Sequence, residues 1–240
     1  DRVSHFFRGL GVPIYEGYGL TESTAAVTVN GPGCQRIGTV GRPVPGNSVR
    51  ISESGEVEIA GPVVFTRYWN NQEATDDALR DGWFATGDLG SLDADGYLTI
   101  TGRKKDIIVT AGGKNVSPGP IEDAIRAHRL VGQAVLIGEG RRFISALIAV
   151  DEAELEQWAA ENGHAGTPAE TLVEDPALRA EIQFAVDEAN RLVSRAEGVK
   201  KFTVLPRDFS EEAGELTATL KVKRHVVDER HAEQIEGMYA

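Results

Sequence analysis

The chain has 240 residues, 41% of them hydrophobic and 26% charged, enough to bury one large or two modest cores and too rich in core formers for disorder. Its 25 Lys/Arg against 37 Asp/Glu give a net charge of −12, which argues against nucleic acid as a partner of the whole surface. A single cysteine, Cys34, excludes an internal disulfide and fits a reducing cytosol, and no run of about 18 apolar residues could span a bilayer.

The start, Asp1-Arg-Val-Ser-His, has no secretory leader character, and a first residue other than Met reads as a fragment or a processed product. The expected compartment is the cytoplasm; peripheral contact with a membrane and the oligomeric state are left open. Charge is unevenly spread. Residues 103–142 hold eight Lys/Arg against four Asp/Glu, and residues 151–190 hold eleven Asp/Glu against one Arg. A local basic segment in an acidic protein suggests an anionic small ligand, with ordinary solvated faces as the plain alternative.

Residues 1–102 read as short strands and turns. Tyr15-Glu-Gly-Tyr-Gly-Leu-Thr-Glu22 is a Gly-punctuated turn that offers a ring for a base, a hydroxyl for a phosphate and a carboxylate for its magnesium. Gly38-Thr-Val-Gly-Arg-Pro-Val-Pro-Gly46 is rich in breakers, and Gly55-Glu-Val-Glu-Ile-Ala-Gly61 alternates as a half-buried strand does. A short helix is expected over 76–79. Asp81-Gly-Trp-Phe-Ala-Thr-Gly-Asp88 follows. An Asp after Thr-Gly can accept hydrogen bonds from both hydroxyls of a vicinal diol, or it can simply close an Asx-turn. Tyr97–Thr101 is another alternating strand.

The style changes at Gly102-Arg103, where we place a domain boundary. Gly102-Arg-Lys-Lys-Asp106 presents the planar fork of Arg103 to ribose or phosphate, with Lys104 and Lys105 at the junction. A strand is expected over 106–110. In Ala111-Gly-Gly-Lys-Asn-Val-Ser-Pro118, Gly112 and Gly113 let backbone approach a narrow ligand. Ser117-Pro-Gly-Pro opens a helix, with Ile121, Ala124, Ile125 and His128 on one face. Strands over 134–137 and 143–150 flank a hairpin. Helices are expected over 151–162 and 176–197, the second ended by Gly198, then a strand over 202–205 and a last helix over 222–238. Gly214-Glu-Leu-Thr-Ala-Thr-Leu-Lys-Val-Lys-Arg224 puts Lys221 in a loop before that helix, free to swing into a cleft, or to be no more than a basic helix start.

In order, Tyr-Gly-Leu-Thr-Glu22, Gly-Trp-Phe-Ala-Thr-Gly-Asp88, Gly-Arg-Lys-Lys-Asp106 and Thr-Ala-Thr-Leu-Lys221 resemble the motifs of adenylate-forming enzymes: acyl-CoA synthetases, luciferase and peptide-synthetase adenylation domains. The resemblance covers essentially the whole chain. Gly-Gly-Lys-Asn-Val-Ser-Pro-Gly-Pro-Ile-Glu122, and Thr-Ala-Thr-Leu-Lys in place of Pro-Ser-Gly-Lys, point to the long-chain fatty acyl-CoA synthetase branch. So does the acidic helical stretch 151–197.

The resemblance implies a mixed α+β fold. Residues 1–102 would be the distal part of a large adenylating domain, mostly strands with a β-barrel-like subdomain. Residues 103–240 would be a small, mobile α+β lid hinged near Lys105. It also implies roles. Tyr18 would stack on adenine, with Gly17 and Gly19 shaping the loop. Thr21 would touch the α-phosphate, and Glu22 would hold Mg2+ and serve catalysis. Asp88 and Arg103 would take the ribose, Ala111, Gly112 and Gly113 would line the CoA path, and Lys221 would drive adenylation. Trp83 is expected to be structural. The implied small molecules are ATP, fatty acid and CoA, and no nucleic acid.

The family's upstream phosphate loop has no counterpart here, so the resemblance is to the C-terminal portion of such an enzyme. The missing N-terminal part is then the chain's expected partner, and these residues alone are expected to form acyl-CoA poorly. Two other readings stay open: a ligase that loads a carrier protein, and a non-catalytic interaction module.

Overall fold

The computed structural model describes residues 2–240. The chain divides into two compact units, the first ending at Asp106 and the second running from Ile107 to Ala240. The mixed α+β character expected from the sequence is present in both. No helix among the described residues is long and apolar enough to cross a membrane.

The first unit opens with helix α1 (Arg2–Gly9), which the sequence reading did not anticipate. Strands β1 (Gly17–Gly19), β2 (Ala26–Val29) and β3 (Arg42–Pro43) form an antiparallel sheet in that order. A single 3-10 turn, Thr21–Ser23, joins β1 to β2. Gly19 is obligatory there, because a Cβ would fall 2.0 Å from the Ala25 carbonyl oxygen. The second sheet is built from β4 (Ser48–Ile51), β5 (Glu56–Ala60), β6 (Leu79–Arg80), β7 (Trp83–Leu92) and β8 (Leu98–Arg103), with the order β4-β5-β7-β6 and β8 also on β7. Val57 and Ile59 alternate inward from β5 and meet Val27, Phe84 and Leu98 in the core. Both sheets are open. The barrel-like closure expected for this region is absent among the described residues, because β4 and β6 end the second sheet at its two edges. Helix α2 spans Gln72–Ala78, earlier than 76–79, because the Asn71 side chain caps it by accepting from the Ala74 N–H.

In the second unit, β9 (Ile108–Val109) and β10 (Asn115–Val116) make a short hairpin, so only two of residues 106–110 are strand. Helix α3 (Pro118–Arg126) starts after Ser117 with Pro in its first turn. Strands β11 (Val131–Ile137) and β12 (Ile144–Val150) are antiparallel, and β13 (Val199–Leu205) lies parallel to β12 on its other side. The crossover from β12 to β13 carries α4 (Glu152–Glu161), α5 (Ala169–Leu172) and α6 (Pro176–Asn190). Every residue of β12 is buried. Ile144, Ala146, Ile148 and Val150 face the core shared with α3, α4 and α6. Leu147 and Ala149 face α7 (Arg224–Arg230) and α8 (Ala232–Tyr239). Helices on both faces remove the polar alternation a one-sided strand would show.

In the second unit two expected helices differ. The apolar repeat runs on to Leu192 and Val193, but α6 ends at Asn190 and Leu192 is exposed. The Asn190 side chain turns to bond both the N–H and the carbonyl of Val199, which starts β13 instead. The last helix is two. It breaks at His231, whose Nε2 lies 3.1 Å from Glu215 Oε1.

Candidate active site

In the first unit, the antiparallel register of β7 on β8 sets Asp88 directly opposite Arg103. Asp88 is buried, and each of its oxygens has a partner: Oδ1 accepts from Arg103 Nε at 2.9 Å and Oδ2 from the Tyr18 hydroxyl at 2.6 Å. The Asp88 hydrogen bond holds the Arg103 guanidinium firmly charged, above its usual range. Burial, and then the bond to Asp88, push the Tyr18 hydroxyl well up, so it stays a proton donor. The Asp88 N–H donates to Thr86 Oγ1, which itself donates to the Val57 carbonyl.

The Glu22 carboxylate projects from the 3-10 turn that Ser23 locks. The Ser23 hydroxyl is fully buried and bonded to Leu20 and Ala25. Glu22 Oε1 accepts from the Tyr68 hydroxyl at 2.8 Å. Burial, then this bond, push the Tyr68 hydroxyl up to about 12. The Tyr68 ring packs against Phe65, which packs against Phe84.

A cleft of about 800 Å³ brings four of the expected residues together: Glu22, Asp88, Arg103 and Lys105. Tyr68, Phe84 and Thr86 wall it. Gly17, Tyr18, Gly19 and Thr21 border a more open depression of about 540 Å³, and Tyr18 reaches Asp88 from there through its hydroxyl. Trp83 sits at the start of β7 beneath the Arg50 guanidinium, 4.2 Å from the ring centroid, a packing role. The sequence reading missed Tyr68 and Glu56. By alternation Glu56 falls in phase with Glu58 on the polar face of its strand, so its sequence position does not mark it out. Tyr68 carried no signal either.

In the second unit, Ala111, Gly112 and Gly113 are exposed at the tip of the β9–β10 hairpin. The turn is tied by Gly113 N–H to Thr110 O at 2.8 Å and by Lys114 N–H to Thr110 Oγ1 at 3.1 Å, and Ala111 N–H donates to Arg141 O at 2.8 Å. Lys221 is exposed in the loop before α7. That loop is anchored on both sides by buried carboxylates that the sequence reading did not single out. Glu215 is fully buried and accepts two bonds from Arg207, at 2.9 Å each, and one from Ser210 N–H. Glu122 on α3 holds Arg224 through both oxygens, at 2.9 and 2.7 Å, and also accepts from Leu136 N–H.

The positive charge of the basic segment is largely paired within the fold. Six of its eight cations have carboxylate partners: Arg103, Lys104, Lys114, Arg126, Arg129 and Arg141. Summed charge along the sequence overstated the local field, because folding brings carboxylates from distant segments onto these side chains.

The chain resembles known proteins along nearly all of its length. Residues 105–240 match the AMP-binding enzyme C-terminal domain, and residues 1–69 match the AMP-binding enzyme family. The chain is 54% identical over 239 residues to the long-chain-fatty-acid–CoA ligase FadD15 of Mycobacterium bovis, covering 99% of this chain and 40% of that protein. It is 37% identical over 259 residues to the long-chain-fatty-acid–CoA ligase ACSBG2 of Gallus gallus, covering 98% of this chain and 34% of that protein. The fold resembles the adenylation domain of a carboxylate reductase from Mycobacterium chelonae, with a TM-score of 0.75 and 23% identity over 99% of this chain and 36% of that one. The chain thus spans about two fifths of the first of these relatives. With more than half of its length matched by the C-terminal domain alone, the chain belongs to the AMP-binding enzyme family.

Proposed function

We propose that the chain is the C-terminal portion of a long-chain fatty acyl-CoA synthetase, an acid–thiol ligase that makes an acyl-adenylate from ATP and then a thioester with CoA. The observation that carries this reading is the Asp88–Arg103 pair beside Glu22 in one cleft, with the Tyr18 hydroxyl reaching Asp88 from the neighbouring depression. A buried carboxylate next to a ring and a guanidinium suits a nucleoside: the diol on Asp88, assisted by Arg103, and the base against Tyr18.

The residues fit magnesium in one way only. No group of three His, Cys, Asp or Glu among the described residues could cage a metal. Glu22 has one oxygen bonded to Tyr68 and a second left over, which suits an ion that keeps its waters and takes its other ligands from phosphate. Magnesium held there would supply charge neutralisation on the phosphates. Lys221 adds a mobile ammonium to stabilise the charge that builds on the α-phosphate.

In the first half-reaction a fatty carboxylate oxygen attacks the α-phosphorus, the bond to the β-phosphate bridge breaks and pyrophosphate leaves. In the second, the CoA sulfur attacks the adenylate carbonyl, the bond to AMP breaks and the thiol proton goes to solvent. The lid turning about Lys105 exchanges Lys221 for the 111–113 loop between the two steps, so each set of groups is assembled only for its own step. The 40% coverage of FadD15 supports a division of labour in which the phosphate cradle and acyl tunnel lie in the remaining length.

The test uses an enzyme of the relatives' full length that contains these 240 residues. Lys221→Ala lowers acyl-adenylate formation at least about 100-fold and spares thioester formation from supplied acyl-adenylate. Equal loss in both half-reactions overturns the assignment. The 240 residues by themselves turn over fatty acid, ATP and CoA negligibly; robust thioester formation by them would refute the division of labour.

A further inference from the structure

We propose that Glu56 is a positioning residue for the ribose-binding pair Asp88–Arg103. This rests on the nucleotide reading of the cleft and names a residue that reading does not use.

Glu56 is 9% exposed, at the start of β5, and lines the same cleft. Both of its oxygens are engaged. Oε1 accepts the Gly87 N–H at 2.9 Å and Oε2 accepts Lys104 Nζ at 2.9 Å. Gly87 immediately precedes Asp88, and Lys104 immediately follows Arg103. One carboxylate therefore grips a neighbour of each member of the cross-strand pair, Gly87 in β7 and Lys104 in the 3-10 turn that follows β8.

The strand pairing explains why a carboxylate is needed. Between β5 and β7 the register shifts: Glu56 faces Leu89 while Glu58 faces Ala85. The extra residues bulge, and Gly87 in the bulge takes φ +74, a conformation that favours glycine. Its N–H turns out of the ladder to the Glu56 side chain. A neutral acceptor would satisfy that N–H alone. The second oxygen, ion-paired to Lys104, requires a charged carboxylate and extends the grip to the residue that follows Arg103. If Glu56 served only the bulge, its loss would weaken every ligand of the cleft equally. If it sets the Asp88–Arg103 geometry, the loss falls on ligands that present a ribose diol.

The test is a pair of NMR titrations of the 240-residue chain, with AMP and with 2′,3′-dideoxyadenosine monophosphate. The wild type binds AMP at least about tenfold more tightly than the dideoxy nucleotide, the worth of one charge-assisted bond. Glu56→Ala weakens AMP about tenfold and leaves the dideoxy nucleotide unchanged. Glu56→Gln, which keeps an acceptor for Gly87 and loses the ion pair, gives the same split at about threefold, and decides the matter if the alanine variant does not fold. Equal weakening of both nucleotides, or of neither, overturns the role of Glu56 while the nucleotide reading stands. A wild type that does not prefer AMP overturns the ribose reading itself, and the proposal with it.

Discussion

Tyr18 and Asp88, 70 residues apart in sequence, share a 2.6 Å hydrogen bond in which the phenol donates to a carboxylate already held by Arg103. The bond ties the ring proposed for the base to the acid proposed for the ribose before any nucleotide arrives. It also occupies an oxygen that a ribose hydroxyl would use. The ring and the hydroxyl of Tyr18 therefore make separable contributions. Tyr18→Ala weakens AMP binding by about 1–3 kcal/mol, the worth of a base–aromatic stack. Tyr18→Phe keeps the ring and changes affinity less than about threefold, because a ribose hydroxyl takes over the vacated acceptor. Titration of both variants checks this; equal losses would assign the effect to the hydroxyl instead.

Gly19 and Gly112 were both read from sequence as site glycines, and their surroundings differ sharply. A Cβ on Gly19 meets the Ala25 carbonyl oxygen at 2.0 Å, whereas a Cβ on Gly112 meets nothing closer than Thr110 Oγ1 at 3.9 Å, and Gly112 is not in the left-handed region. Gly19→Ala is expected to destabilise the first unit by about 2 kcal/mol or more, since backbone must move. Gly112→Ala is expected to change stability by less than about 0.5 kcal/mol, so any loss of thioester formation in a full-length enzyme reports on ligand approach. Thermal unfolding of the two variants separates them.

Glu215 carries a pH signature. Burial raises its carboxyl, but the bonds from Arg207, Ser210 N–H and His231 outweigh burial and hold it below its ordinary value of 4.5. A carboxyl depressed in the folded state contributes stability fully above its unfolded value, and that contribution is lost as pH falls through the folded value. Glu215→Gln should therefore cost about 2 kcal/mol at pH 7, a moderate figure because the Arg207 head is partly solvated. The gap from wild type should close progressively below pH 4.5. Denaturant unfolding followed at the Trp158 indole, in the core of the second unit, measures it. A gap that does not change with pH would rule out the ionised form as the source.

Sequence periodicity sufficed where one segment decides its own structure. The alternation at Val57 and Ile59 gave β5, and Pro118 after Ser117 gave the start of α3. It failed where a distant side chain intervenes. The repeat through Leu192 says nothing of Asn190 turning back to Val199, and the last helix breaks at His231, where that side chain meets Glu215. The motifs quoted for the cleft name Glu22, Asp88 and Arg103, which one cavity brings together with Lys105. Glu56 and Tyr68 belong to no such motif; their partners, Gly87 with Lys104 and Glu22, are 31 or more residues away. The basic run 103–142 misled for the same reason, since the acids that neutralise it come largely from elsewhere in the chain.

Leu220, immediately before Lys221, is a strained residue. Leu220 N–H donates to Thr217 O at 2.8 Å, Thr217 N–H to Lys221 O at 2.9 Å, and Leu216 pairs with Val222. This is a three-residue hairpin loop whose last position turns left-handed, a place that glycine favours. Leu220 holds φ +59 there and is 69% exposed, so little packing offsets the strain. The related motif Pro-Ser-Gly-Lys puts glycine at this position. Leu220→Gly is expected to stabilise the hairpin by up to about 1 kcal/mol, the left-handed penalty less the added chain entropy. Leu220→Val, with branching at Cβ, is expected to destabilise it by a similar amount. Amide hydrogen exchange at Lys221, whose N–H donates to Thr217 Oγ1 at 3.1 Å, reads the effect directly. Slower exchange in the glycine variant and faster exchange in the valine variant is the expected result, and the reverse order would show that the turn costs leucine nothing.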